Sequence, residues 1–494
     1  MTASTVLFRC DASPTIGAGH VVRCLALARV MEARGWRVSF AVNEGAEQAI
    51  PALRDEACVG VPQAYSTDAG WLGARLESGV DLIVVDHYKL GASFEKAARA
   101  WASRTAVIDD LGDRSHDADI LIDVVLDCQT RGYGELSSGH TACLIGADFV
   151  MLRPPFARTR RRLPRQRHIG DPIRVLVSMG ATDPGNASAL VLDALQHVET
   201  RTEVTVVLGM AAPHIRAIRD RIDHVPYPCN LLQGVEAVED VIAGHDVVVG
   251  ASGMGAWERC CLGVPSLVLL TATNQERSAK FLSAAGAVLC LGYAEAQAPR
   301  QLGNMLDEIV KDRGGLRRMG ERGAMLCDGL GTYRVANVLD APLISSSGRQ
   351  IILRPVRQSD SDQVLEWQCY SNAEYYTSAP RPSDREAQDR WIRCQLSDPR
   401  VISHVILCDE EPSGLITLEW TGQHYEISIL VAPSLSHAKL ACVALKLACS
   451  LVPDDDLVAE VPEGNHVSHD LFRKAGFHLS APGHYVLSPM AAGA

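Results

Sequence analysis

Along the first two thirds of the chain, short apolar runs rich in β-branched residues alternate with stretches whose apolar positions recur at helical spacing. Val6–Arg9 runs into a glycine-bearing loop, a helix over Val21–Arg34 that stops at Gly35, and a strand at Val38–Val42. Asp81–Asp86 and Thr105–Asp109 repeat the pattern, each an apolar strand ending in polar residues. Strands separated by helices in this way predict a parallel sheet covered on both faces. A second series begins with Ile173–Ser178 and a helix predicted to open at Pro184, a favoured first helical position. It continues through Val204–Leu208, Asp246–Gly250, Ser266–Leu270 and Val288–Leu291. Two similar α/β halves facing each other are expected.

The basic, proline-interrupted segment from Arg153 to Arg165 separates the two series and suits an interdomain crossing. At Ser345-Ser346-Ser347-Gly348 the composition turns to that of a short joint, and the remainder mixes strands with helices. Its strands read as Ile351–Pro355, Ser403–Leu407, Gly414–Trp420, Tyr425–Val431 and Leu457–Val461, and its helices as Ala438–Leu451 and Val467–Ala475. The expected organisation is 1–160 and 161–342 as two Rossmann-like domains, then 349–494 as an α+β domain.

A chain of 494 residues is too long for one core. With 47% hydrophobic and 21% charged residues its bulk should fold rather than stay disordered. A net charge of −12 argues against nucleic acid as a partner, because such binding needs a basic surface to displace counterions. The 15 cysteines are scattered through apolar stretches without a C-x-x-C or matched histidines, as small buried residues of a reducing compartment would be. No signal peptide opens the chain and no run of about 18 uncharged apolar residues occurs, so a cytoplasmic protein with no membrane partner is expected. Oligomeric state is not legible.

The first chemical constellation follows strand Val6–Arg9: Asp11-Ala12-Ser13-Pro14-Thr15-Ile16-Gly17-Ala18-Gly19-His20, leading directly into a helix. In open α/β sheets ligands bind beyond the C-terminal strand ends, which puts His20 at a cleft edge. Gly17 and Gly19 let the backbone approach a ligand, and an imidazole titrating near neutrality suits proton abstraction from water. His20 reads equally well as a helix-capping residue. The loop has neither the third glycine of a dinucleotide fingerprint nor the Gly-Lys-Ser/Thr of a phosphate loop. In Asp86-His87-Tyr88 the phenol is placed either to bond a sugar or leaving group or simply to sit at the rim. Asp109-Asp110 is equally readable as a helix cap.

The second constellation is Gly250-Ala251-Ser252-Gly253-Met254-Gly255, opening a helix that stops at Gly263. Such a loop offers the N–H groups and positive dipole end that a diphosphate needs. Glu258, one turn into the helix, is placed to accept from ribose hydroxyls or merely to stabilise its own helix. Asn274 and Gln275, after the next strand, read as sugar ligands or as a cap.

Together these segments resemble the UDP-sugar hydrolases of pseudaminic acid biosynthesis, relatives of the two-domain GT-B glycosyltransferases. The match runs over residues 1 to about 340: Phe8-Arg9-Cys10-Asp11-Ala12, Gly17-Ala18-Gly19-His20, Arg23-Cys24-Leu25, Val85-Asp86-His87-Tyr88, Ile108-Asp109-Asp110, Leu152-Arg153-Pro154, Gly180 with Thr182-Asp183-Pro184, and Trp257 to Gly263 with Asn274-Gln275. The resemblance implies hydrolysis of UDP-2,4-diacetamido-2,4,6-trideoxy-β-L-altropyranose with inversion. In it His20 is the general base, Tyr88 assists, and Asp11, Gly17, Gly19, Arg23, Gly180, Asp183, Gly253, Met254, Glu258, Asn274 and Gln275 contact substrate. It implies no metal and no cofactor for this step. The rival readings are a GT-B glycosyltransferase using a UDP-sugar donor and a UDP-sugar-binding protein without turnover.

Residues after 349 resemble the GNAT N-acetyltransferases, through Leu353-Arg354-Pro355-Val356 with Ser359-Asp360, and Asn465-His466-Val467-Ser468 with Leu471 to Phe477. The resemblance implies acetyl-CoA as cofactor, held near Val431, Lys439 and Asn465, and an amino sugar as acceptor. Ser436-His437-Ala438-Lys439-Leu440-Ala441 stands where the family's pyrophosphate loop carries an arginine and glycines, and Phe472 where many members have a proton-donating tyrosine. Acetyl transfer and a degenerate domain serving stability or partner binding both remain open.

Overall fold

The computed structural model describes residues 3–13, 17–125, 141–164, 167–340, 350–369, 384–432 and 438–489. The expected joint at Ser345–Gly348 and residues Pro14–Ile16 and Ser436–His437 lie outside the described residues.

Seven strands form the first sheet: β1 Thr5–Cys10, β2 Arg37–Asn43, β3 Cys58–Val61, β4 Val80–Asp86, β5 Ala102–Ile108, β6 Ile120–Asp123 and β7 Ala142–Ile145. Their order is β3-β2-β1-β4-β5-β6-β7, all parallel. The second sheet has β8 Ile173–Ser178, β9 Thr202–Leu208, β10 Cys229–Gln233, β11 Val247–Ala251, β12 Ser266–Leu270 and β13 Leu289–Tyr293, in the order β10-β9-β8-β11-β12-β13 and again all parallel. The central strands are buried on both faces, with Val6, Leu7 and Phe8 of β1 and Val247 and Val248 of β11 at 0% exposure. That burial is why they read as unbroken apolar runs rather than as alternation.

Each sheet reverses its winding at one point, between β1 and β4 in the first and between β8 and β11 in the second. Loops at such a reversal splay apart and leave a crevice beyond the strand ends. The glycine-histidine loop follows β1, and the Gly250–Gly255 loop follows β11.

The expected helix start at Pro184 is corrected. The helix runs Ala187–Leu195, and its first turn is closed by Asp183, whose carboxylate accepts from the N–H groups of Ala187 and Ser188, each at 2.9 Å. The basic segment expected to be an interdomain crossing carries a helix over Pro154–Arg160, with proline at the tolerated N-terminal positions.

The third sheet comprises β14 Ile351–Pro355, β15 Val401–Cys408, β16 Glu411–Trp420, β17 Tyr425–Val431, β18 Leu457–Glu460, β19 His478–Ala481 and β20 His484–Leu487. The order is β14-β15-β16-β17-β18-β20-β19, antiparallel except for β17 against β18. Helices Ser361–Cys369 and Arg385–Ser397, absent from the sequence reading, pack on it with Val364, Trp367 and Ile392 buried.

The chain forms two compact units. One holds residues 1–159 and 166–332, with both parallel sheets; the other holds 160–165 and 333–494. No described helix is long and apolar enough to cross a membrane.

Candidate active site

A cavity of about 590 Å³ opens within the first unit, between the ends of β1 and β4 on one wall and those of β8 and β11 on the other. His20, Tyr88, Arg23 and Asp110 line the first wall, while Gly180, Gly253, Met254, Glu258, Asn274 and Gln275 line the second. The two walls approach closely: a Cβ placed on Gly19 would meet Met254 Cγ at 3.8 Å, and Asn274 Nδ2 donates to the Tyr88 hydroxyl at 3.2 Å.

His20 sits in the first turn of the helix Gly19–Ala33 and is 6% exposed. Its Nδ1 lies 2.6 Å from Asp86 Oδ1. A carboxylate can only accept, so Nδ1 carries a proton. Asp86, wholly buried at the end of β4, also accepts from Arg23 Nε and Nη2, both at 2.6 Å. Burial by itself would raise the Asp86 carboxyl, but the Arg23 charge and the His20 contact outweigh it and hold the group well below the usual carboxylate range. Arg23 Nη1 donates to Asp110 Oδ2 at 2.6 Å, so one guanidinium ties both acids together. Register explains the convergence: Cys10 of β1 pairs with Asp86 of β4, which brings the strand ends level where the helix after β1 begins.

The Tyr88 ring stands edge-on to the imidazole, with centroids 4.4 Å apart. Burial, together with the Asp110 charge, pushes its phenol above the ordinary value, so it is protonated at neutral pH. Across the cavity, Glu258 is half-buried, and among the described residues its carboxylate has no hydrogen-bond partner. Burial raises its pKa, against the pull of Arg153 and Arg259.

Of the expected substrate contacts, Asp11 lies outside the cavity lining, and Asp183 and Gln275 line it with side chains bonded within their own loops. The Asp11 carboxylate is turned away from the cavity, accepting from Arg9, from the Asn43 N–H at 3.0 Å and from His87 Nε2 at 3.0 Å. Burial opposes its ionisation, yet the His87 bond and the Arg9 charge hold it well below the normal range. It fixes the start of the loop. Asp183, although on the cavity wall, spends both carboxylate oxygens on its helix. The Gln275 side chain closes its own turn, with Oε1 accepting from the Thr271 N–H at 3.1 Å and Nε2 donating to Thr271 Oγ1 at 3.0 Å. Gly17 and Gly180 have φ of +87° and +101°, the left-handed region that favours glycine. Gly253 is extended at −153°, and what it contributes is open space on the wall.

The sequence reading missed Asp86, quoted there only within its tripeptide, and missed Ser252 and Arg259 on the second wall. An acid closing an apolar strand at a winding reversal was the available signal for the first. The pair Asp109-Asp110 divides its work: Asp109 is wholly internal, accepting from the Leu111 and Gly112 N–H groups, while Asp110 faces Arg23. Among the described residues no group of three or more His, Cys, Asp or Glu is arranged to hold a metal.

The second unit has its own cavity of about 520 Å³, where β17 and β18 pair only at Tyr425–Leu457 and Glu426–Val458 and then part. Asn465 lines it, though its Oδ1 accepts from the Ser468 N–H at 3.1 Å and so caps the helix His466–Lys474. Val431 ends β17 and is not part of the lining, and Lys439 lies in the first turn of the helix Ala438–Cys449. Ile427 to Leu430 line it from β17, and Val458, Glu460, Val461 and Pro462 from β18 and the residues after it. No lysine or arginine is among the described lining residues. Phe472 faces the same space with a ring that cannot donate a proton.

Comparison with known proteins agrees with this architecture. A family model described as an acetyltransferase (GNAT) domain matches residues 350–478. The spore coat polysaccharide biosynthesis protein SpsG of Bacillus subtilis (strain 168) is 26% identical over 329 residues, covering 65% of this chain and 94% of that protein. The uncharacterized protein MJ1062 of Methanocaldococcus jannaschii is 21% identical over 266 residues, covering 52% of this chain and 54% of that one. The crystal structure of Acinetobacter baumannii MurG superposes with a TM-score of 0.51 at 15% identity, over 68% of this chain and 99% of that one. The expected fold is borne out: a GT-B-type pair of Rossmann-like lobes followed by a GNAT domain of mixed sheet.

Proposed function

We propose that the first unit hydrolyses a UDP-linked diacetamido-trideoxy sugar, UDP-2,4-diacetamido-2,4,6-trideoxy-β-L-altropyranose, to UDP and the free sugar. The observation that carries this reading is the buried Asp86–His20 pair, which holds the imidazole by Nδ1 at the wall of a cavity whose opposite wall is a glycine loop opening a helix. His20 Nε2 takes a proton from water as the water oxygen bonds to the anomeric carbon. The bond from that carbon to the β-phosphate oxygen breaks, and its electron pair leaves with UDP. Attack opposite the leaving group inverts the anomeric centre. Tyr88 and Asn274, already bonded to each other across the cavity, orient the sugar, and Glu258 accepts from the ribose hydroxyls. The kinship with a polysaccharide biosynthesis protein supports a carbohydrate substrate.

For the GNAT domain, the same reading assigns N-acetylation of the 4-amino precursor. Acetyl-CoA, when bound, supplies the activated acyl group, and the parting of β17 from β18 receives its thiol arm.

The test is UDP release from the purified chain and this substrate with no acceptor present, with the sugar followed by NMR. Hydrolysis with inversion is expected, and His20→Ala should lower the rate by about 10²–10⁴-fold while UDP still binds. UDP release only when a sugar acceptor is added would make the protein a glycosyltransferase. UDP binding without turnover would make it a binding protein.

A further inference from the structure

Arg259 belongs to the helix Met254–Cys261 and is 2% exposed, with no carboxylate bonded to its guanidinium. Its Nε donates to Ser266 Oγ and its Nη2 to the Ala251 carbonyl, both at 2.8 Å and both neutral partners. Nη1 has no hydrogen-bond partner among the described residues, and Arg259 lines the 590 Å³ cavity. The glycine loop is shaped around this nitrogen. A Cβ on Gly250 would fall 2.9 Å from Nη1 and a Cβ on Gly255 would fall 3.1 Å from it.

A buried cation without a counter-charge is costly, and neutral acceptors repay only part of that cost. Burial pulls the Arg259 pKa down to about 10, which still leaves the group charged at neutral pH. The acceptor that Nη1 lacks must come from whatever fills the cavity. A second group points the same way: Ser252 Oγ, wholly buried on the same loop and lining the same cavity, has no partner of its own. Glu258 next to Arg259 acts on it through its charge but accepts no hydrogen bond from the guanidinium, so Nη1 is left for another acceptor.

We infer that Arg259 Nη1, with the Ser252 hydroxyl, binds the diphosphate of the nucleotide from beneath the Gly250–Gly255 loop and receives the charge that develops on it as the sugar leaves. This deepens the proposed function and rests on it. A guanidinium buried among neutral partners prefers the ligand carrying the most negative charge, so the site ranks UDP above UMP and UMP above uridine.

The experiment is calorimetric titration of the full chain with UDP, UMP and uridine, for wild type, Arg259→Gln and Arg259→Lys. Wild type is expected to bind UDP at least tenfold more tightly than uridine. Arg259→Gln should erase most of that ratio while changing uridine affinity by less than about twofold, and Arg259→Lys should restore part of it. Equal losses for UDP and uridine would overturn the inference and make Arg259 a strut between β11 and β12. Absence of UDP binding by wild type would instead sink the underlying functional reading. If Arg259→Gln does not fold, a crystal structure of the wild-type chain with UDP decides. A phosphate oxygen within hydrogen-bond reach of Nη1 is expected, and an Nη1 facing only water or ribose overturns the inference.

Discussion

Replacing Asp86 with asparagine probes the centre of the first wall. Four donors converge on this carboxylate: His20 Nδ1 and two nitrogens of Arg23, each at 2.6 Å, and Cys24 Sγ at 3.7 Å. An amide offers one oxygen and one NH₂ where two acceptor oxygens are needed, so at least one donor meets another donor. Arg23 keeps Asp110 but loses its fully buried counter-charge, a loss of about 3–5 kcal/mol for breaking a buried pair. Against a stability of about 5–15 kcal/mol the variant still folds, with a lower denaturation midpoint. If the NH₂ turns toward His20, the imidazole is forced into the tautomer with a proton on Nε2 and cannot take one from water. Loss of the correct tautomer in serine-protease triads costs about 10⁴-fold, and a kcat lower by about 10³–10⁴ is expected here. The assay is steady-state UDP release, with circular dichroism and UDP binding confirming a folded pocket. A folded variant retaining kcat within about tenfold of wild type would refute the role given to the pair. The pH dependence follows as well. Asp86 has a depressed pKa in the folded state, so its contribution is present above the unfolded carboxylate value near 4 and is lost only as pH falls below it. An acid limb in the rate profile near neutrality would therefore belong to another group.

The remaining predictions concern supports of the fold. His116 is buried between Glu95, at 2.7 Å, and Asp109, at 3.4 Å, and although burial opposes its protonation, these acids raise its pKa to about 9. Its stabilisation is complete below about pH 6.5 and fades as pH rises through 9, so hydrogen exchange of segment 109–119 should accelerate above that value beyond the intrinsic base catalysis. Arg161 bonds both oxygens of Asp455, at 2.6 and 2.8 Å, and lies 4.0 Å over the Trp420 ring. Arg161→Ala should destabilise the second unit by about 3–5 kcal/mol, read as faster exchange in β16 and β17 while β1 and β8 stay protected. Gly180→Ala meets no atom within 4 Å, so its cost is conformational, about 1–2 kcal/mol from φ of +101°, measured as a shift in the urea midpoint.

Much of the fold was legible because the central strands are buried on both faces and therefore carry continuous apolar runs. The shortest strands were less so. β3, β6, β7 and β10 have four or five residues each, and Cys229–Gln233 includes Asn230 and Gln233, too short and too polar to stand out from a loop. The helix start was misplaced because local pattern favours Pro184. Asp183 instead adopts φ of +40° and reaches past it to cap the helix three residues later.

What the sequence by itself determined was the kind of chemistry available at each strand end: an imidazole after two glycines, a phenol after an acid, a glycine loop opening a helix. Composition and spacing are local, and they survive translation into elements because strand and helix periods are local too. Only the tertiary structure decided which of these groups work together. The winding order set β1 beside β4, so that His20 and Asp86, 66 residues apart, share one proton. It also turned Asp11 inward to His87, and it left Arg259 charged without an acid at its guanidinium. Charge compensation depends on what is near in space and shielded from water, and neither can be read along a chain.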